Sequence, residues 1–131
     1  MGQARWQRDM VDRGYVPDEA HIIKINFDPQ AGHEQAGWRP ALVLSPAAYN
    51  RHGLAIVVPI TKQVKGYPFE VPVPAGLATT GVILSDAIKS VDWKSRRARF
   101  VEDIPPGCLK AVQGHLMLLL GFPRPAALPG R

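Results

Sequence analysis

Asp28-Pro29-Gln30-Ala31-Gly32-His33-Glu34-Gln35-Ala36-Gly37-Trp38-Arg39-Pro40 separates two apolar runs, residues 22–27 and 41–44, and its reading decides what the chain becomes. A hairpin needs only a short turn here, and Asp-Pro with two glycines already supplies one, since Pro presets φ near about −65° and Gly tolerates positive φ. His33, Glu34, Gln35 and Arg39, gathered within seven residues, serve no turn. Two readings stand: a solvated connection whose charges keep the surface soluble, or a loop that carries binding and catalytic groups on rigid flanking strands. The flanks are strand-like. Residues 21–27 alternate Ile22, Lys24, Asn26 against Ile23, Ile25, Phe27, the period-2 pattern of a half-buried strand, and residues 41–45 are continuous and apolar like a central one.

Downstream, Pro46 ends the second strand, residues 47–50 suit one helical turn, and Arg51-His52-Gly53 leads into a third, β-branched strand at 54–60. Thr61 closes it. A polar stretch, Lys62 to Pro68, precedes a fourth strand at 69–73, and 74–81 is a turn-rich connection. Residues 82–84 and 87–93 read as a bent pair of short strands or as one strand with a bulge. Four cations in six residues, Lys94, Arg96, Arg97 and Arg99, offer either an extended positive surface or a solvated face. After a last strand at 100–102, Pro105 and Pro106 open a helix whose apolar face is Leu109, Val112, Leu116, Leu119 and Leu120 and whose end is Gly121. Residues 1–16 read as a flexible arm, with Met10 an alternative start, and 122–131 as a Pro-rich tail, which leaves one domain over 17–121. The pattern predicts a mainly β fold, a small antiparallel barrel or curled sheet with a C-terminal helix.

At 131 residues, 46% hydrophobic and 21% charged, the chain has the size and composition of a single globular domain. The apolar run at 116–120 is too short to cross a bilayer and the first residues lack a signal-peptide core, so a cytoplasmic protein without membrane contact is expected. A lone cysteine, Cys108, rules out an internal disulfide and a multi-cysteine metal site, and the four histidines show neither HxxxH nor HxH spacing. No metal or cofactor is expected, and Cys108 reads as a packed helix residue rather than a nucleophile. A net charge of +5 suits a polyanionic partner, although basic proteins without one are common.

A resemblance adds what composition cannot. Asn26-Phe27-Asp28-Pro29, Gly32-His33-Glu34-Gln35-Ala36-Gly37, Arg39-Pro40-Ala41-Leu42-Val43-Leu44-Ser45-Pro46, Tyr49-Asn50, Pro59-Ile60-Thr61, Lys65-Gly66-Tyr67-Pro68-Phe69-Glu70-Val71 and Lys89-Ser90 stand in the order and spacing of the MazF/PemK toxins. The chain resembles that family over roughly residues 17–121. The resemblance implies an SH3-like barrel of the CcdB/PemK type and a homodimer. It implies a sequence-specific, metal-independent endoribonuclease acting on single-stranded RNA and leaving 2′,3′-cyclic phosphate and 5′-hydroxyl ends. It also implies a cognate acidic antitoxin that lies in the RNA groove. A non-catalytic CcdB-like interaction or RNA-binding module on the same barrel is the alternative. The chain departs from the family pattern at Glu19-Ala20, where Gly-Asp is usual, at Lys24, at Asn26 and at Ala87.

The resemblance assigns catalysis to Arg39, Thr61 and Glu34. Arg39 suits a phosphorane-like anion because guanidinium is planar, permanently charged and able to bind two phosphate oxygens. Thr61 can donate its hydroxyl to a non-bridging oxygen. Glu34 is either the base for the 2′-hydroxyl or the group that orients Arg39. RNA contacts fall to His33, Gln35, Gln63, Lys65, Tyr67 and Lys89, through phosphate pairing, base stacking and base-edge hydrogen bonds. A solvent-facing role for His33 and a plain polar hairpin end for Gln63, Lys65 and Tyr67 are the competing readings.

Overall fold

The computed structural model describes residues 14–26 and 37–122. Most of the opening loop, with Glu34, His33 and Gln35, lies outside them, as do 1–13 and 123–131. Seven strands are present: β1 (His21–Asn26), β2 (Trp38–Val43), β3 (Leu54–Thr61), β4 (Glu70–Pro72), β5 (Val82–Leu84), β6 (Lys89–Asp92) and β7 (Arg99–Asp103). One helical turn, α1 (Ala47–Asn50), follows β2, and a long helix, α2 (Pro106–Leu120), closes the described chain. All pairings are antiparallel, in the order β4-β5-β3-β2-β1-β7 with β6 also on β3. Among the described residues the sheet curls without closing, so "barrel" describes it loosely.

β3 is the axis of the sheet. One edge pairs with β2 through Val57, Val58 and Pro59, while the other takes β6 along residues 54–57 and then β5 at Ile60 and Thr61. The stretch 82–93 is therefore a bent pair of strands, handed one after the other onto the same edge.

Both faces of the central strands are buried, which explains why their apolar runs are continuous. Ile23, Ile25, Ala41, Val43, Ala55, Val57, Val91 and Trp93 pack on one face. Ile22, Leu42, Val58, Ile60, Val71 and Ile83 pack on the other, under Ile104 and Val112. Successive side chains point to opposite faces, so each neighbouring pair Ile22/Ile23, Leu42/Val43 and Val57/Val58 supplies both cores. Val112, Leu109, Leu116 and Cys108 form the inner side of α2. Leu119 and Leu120, expected on that side, are exposed together with Leu118 and Phe122, since the last turn of α2 has no core residue against it. Gly121 ends the helix at φ 71°, a left-handed value glycine adopts without penalty, and its N–H reaches the Met117 carbonyl.

The supposed arm ends earlier than its composition suggested. Tyr15 is 6% exposed, stacked on His21 and tilted against Phe100. Its hydroxyl lies 2.7 Å from His21 Nδ1, which also accepts the Asp18 amide at 3.1 Å. Nδ1 is thus the bare nitrogen, and Nε2 faces Asp103 at 3.8 Å. Burial holds the His21 pKa below the ordinary value, in keeping with a neutral ring that accepts through Nδ1. A single aromatic among polar residues carried too little pattern to reveal this packing. Nearby, buried Asn50 donates to the Pro17 and Ser45 carbonyls, accepts from the Ser45 hydroxyl, and its own carbonyl accepts from Trp93 Nε1, which ties α1 to both ends of the sheet.

Between these anchors Ala20 sits at φ 77°, held by Ala20 N–H to Val43 O and Ile104 N–H to Ala20 O. A left-handed alanine costs roughly 1–2 kcal/mol, while glycine loses roughly 0.4–1 kcal/mol of chain entropy on folding. Ala20→Gly should therefore stabilise the fold by about 0.5–1 kcal/mol and raise the thermal midpoint by a few degrees. A lowered midpoint on thermal unfolding would show that the strain is not there.

Candidate active site

β2 begins and β3 ends side by side. In their register Ala41 pairs with Pro59, so Arg39, two residues before Ala41, and Thr61, two after Pro59, come from neighbouring strand ends. A cavity of about 580 Å³ opens there, lined by Arg39, Pro40 and Trp38 from β2, Ile60 and Thr61 from β3, and Lys24 from β1. Lys62 and Gln63 line the side beyond β3, and Ala78, Thr79 and Thr80 form the opposite wall with Val101 of β7.

Thr61 is prepared to donate. Its Oγ1 accepts the Gln63 N–H at 3.1 Å, which occupies one acceptor site and leaves the hydroxyl proton for an outside oxygen. Its backbone is held by Gly81, at φ 118°: a Cβ there would stand 2.2 Å from the Thr61 carbonyl oxygen, a distance no side chain permits.

The acidic residues nearby are occupied with backbone. Glu102 accepts the Thr79 hydroxyl at 2.7 Å and the amides of Thr79 and Ala78 at 2.8 and 3.0 Å, pinning the far wall. Burial raises its pKa, but the bonds from Thr79 and Ala78 outweigh burial and leave it below the ordinary carboxylate value. Glu70 accepts the Gly66 and Lys65 amides at 2.9 and 3.1 Å and shapes the loop after β3.

Among the described residues no carboxylate compensates the cations. Lys24, Arg39 and Lys62 line the cavity, and Arg99 lies over the Trp38 ring, 5.1 Å from its centroid. Among the described residues the one acid–base contact within ion-pair distance is Asp103 with the neutral His21 ring, and the lining holds neither carboxylate nor histidine. A half-open cavity with several unpaired cations and a hydroxyl donor is built for an anion with several oxygens.

The structure brings Arg39, Thr61 and Gln63 together in one lining. Lys65 and Tyr67 continue the same loop, both exposed, with Lys65 Nζ 6.0 Å from the Tyr67 ring centroid, but they do not line the cavity. Lys89 stands apart on β6, opposite Val57. Sequence reasoning missed Lys24, Trp38, Lys62, Thr79 and Glu102. No local pattern marks Lys24 as part of a site or links Glu102 to residues 78–79. Arg96 belongs to the framework rather than to an open positive face: its Nη1 donates to the Asn26 carbonyl at 3.0 Å and its own carbonyl accepts the Asn26 amide.

Residues 18–120 match the family of PemK-like, MazF-like toxins of type II toxin–antitoxin systems. The chain is 46% identical over 113 residues to the endoribonuclease toxin MazF of Escherichia coli (strain K12), covering 86% of this chain and all of that one. A crystal structure of MazF from Deinococcus radiodurans superposes with a TM-score of 0.74 at 55% identity, over 82% of this chain and 99% of that one. The MazE–MazF crystal structure (Form-II) from the same organism gives 0.75 at 48% identity, over 83% and 99%.

Gly81→Ala tests the close approach that fixes Thr61. With backbone as the obstacle and a left-handed φ besides, the variant should lose at least about 2 kcal/mol of stability. A wild-type midpoint in chemical denaturation would mean that the chain relaxes around a Cβ and that Gly81 fixes nothing.

Proposed function

The chain belongs to the PemK-like, MazF-like toxins of type II toxin–antitoxin systems, and on that premise we propose that it is an endoribonuclease that cuts single-stranded RNA at specific short sequences without a metal ion. The observation that carries this reading is the cluster of cations, without an ion-pair partner among the described residues, that lines one cavity with the Thr61 hydroxyl. The RNA's own 2′-hydroxyl attacks the adjacent phosphorus, a P–O2′ bond forms, and the P–O5′ bond breaks. The products are a 2′,3′-cyclic phosphate and a 5′-hydroxyl. Charge builds on the non-bridging oxygens, where Arg39 and Thr61 stabilise it. Fixed cations supply there the electrostatic work that a metal ion does in other nucleases.

The 2′-hydroxyl proton needs an acceptor and the 5′-oxygen needs a donor. Glu34, outside the described residues, is the proposed base or the residue that orients Arg39, and His33 next to it in sequence is a proposed RNA contact. Sequence reading falls to Gln63, Tyr67, Lys65, Gln35 and Lys89, whose amides, ring and ammonium groups suit unstacked bases and phosphates.

A relative's MazE–MazF complex supports a cognate antitoxin for this chain too. An acidic, extended segment would satisfy the same cations and so exclude RNA. The protein acts as a homodimer in this reading, supported by the exposed Leu118, Leu119, Leu120 and Phe122 at the end of α2.

Two outcomes are expected. Arg39→Ala should lower the single-turnover cleavage rate by roughly two to three orders of magnitude, the scale of losing one preorganised donor, with RNA affinity reduced far less. Arg39→Lys should recover little of it, because a point charge cannot replace a two-oxygen contact. Undiminished cutting by Arg39→Ala would remove Arg39 from the chemistry, and wild-type protein that binds RNA but makes no fragments would leave only a binding module. Sedimentation at micromolar concentration should show a dimer, and replacing Leu118 and Leu119 with Gln should yield monomer; a monomeric wild type would exclude the dimer.

A further inference from the structure

Lys24 has no part in the cleavage step as derived, yet its placement is unusual. In register, Lys24 of β1 faces Pro40 of β2 on one side and Arg99 of β7 on the other. Register partners project to the same side of a sheet, and neighbouring strands lie about 4.8 Å apart. The row Pro40, Lys24, Arg99 therefore crosses β2, β1 and β7 on one face with a cation on each of the last two strands, and it meets Arg39 at the cavity that Lys24 and Pro40 line with it. On the same face two residues earlier, Ile22 is fully buried, so at Lys24 this face changes from core to open groove.

Like charges in cross-strand register repel and destabilise the pair. Nothing in the described protein relieves Lys24 and Arg99: both are exposed, neither is ion-paired, and Glu102 on the same strand is committed to Thr79 and Ala78. Arg99 is instead laid over Trp38, which steadies the guanidinium at the cavity rim. Two adjacent cations with no carboxylate partner among the described residues, one of them steadied by an aromatic ring, make a site for a second anion.

We propose that Lys24 and Arg99, steadied by Trp38, form a phosphate subsite that grips the RNA backbone phosphate next to the one being cut. The inference rests on the endoribonuclease reading and adds to it a direction: the RNA strand crosses β3, β2, β1 and β7 in turn, rather than running along any of them.

The test uses an RNA with a 2′-deoxy sugar at the cut, which binds without being cleaved, and titrates it at several salt concentrations. For Lys24→Gln/Arg99→Gln the slope of log affinity against log salt should shrink by about 0.7, the value for one phosphate contact on a single strand, and low-salt affinity should fall about tenfold. With cleavable RNA the loss should sit in KM rather than kcat, and restoring charge with Lys24→Arg should recover most of it. Replacing the neighbouring phosphate by an uncharged methylphosphonate should weaken wild-type binding equally and add nothing to the double variant. A wild-type slope and affinity in the double variant, or fully additive losses, would overturn the subsite while wild-type cutting still stood. Wild-type protein that neither cuts nor binds RNA would instead overturn the endoribonuclease reading.

Discussion

The register of β3 is the constraint on which the rest depends. Both of its faces are buried, Val57 and Ala55 toward one core and Val58 and Ile60 toward the other, so a slip of one residue would exchange the two sets and damage both. That register is fixed three times over, by β2 on one edge and by β6 and β5 in succession on the other. The strand's last residue, Thr61, follows immediately on the buried Ile60, and Gly81 closes against its carbonyl. Arg39 is set from β2 by the same ladder. A hydroxyl and a guanidinium from sequence positions 22 residues apart therefore meet at one cavity because the core beneath them admits one alignment.

The electrostatics follow from how the carboxylates are used. Glu102, Glu70, Asp18 and Asp92 accept backbone N–H groups at the turns and loops around the sheet. With these carboxylates committed to loop geometry, no carboxylate among the described residues pairs with Lys24, Arg39 or Lys62 around the open volume of the cavity. At the cavity Glu102 pins a wall, while Lys24, Arg39 and Lys62 face the open volume.

Much of this was legible in the sequence. Period-2 alternation at 21–27, the β-branched run before Thr61 and the paired prolines before α2 each gave an element close to its observed bounds. The resemblance singled out Arg39, Thr61 and Gln63, and these share the cavity. What escaped was long-range. Tyr15 is buried by contacts with His21 and Phe100, which a polar arm does not announce. Lys24 and Arg99 are 75 residues apart and become neighbours only through the β1–β7 ladder and its bulge. Leu119 and Leu120 fit the helical period yet remain outside the core, since periodicity marks a face and not what covers it.

In the proposed reaction the RNA supplies its own nucleophile while the protein supplies fixed positive charge and a proton donor. The most direct measurement is mass spectrometry of the fragments from a short single-stranded RNA cut by the wild-type protein in the presence of a chelator. Upstream fragments should end in a 2′,3′-cyclic phosphate and downstream fragments should begin with a 5′-hydroxyl, formed at the same rate with and without chelator. Fragments with 3′-hydroxyl and 5′-phosphate ends, or cleavage abolished by the chelator, would contradict it.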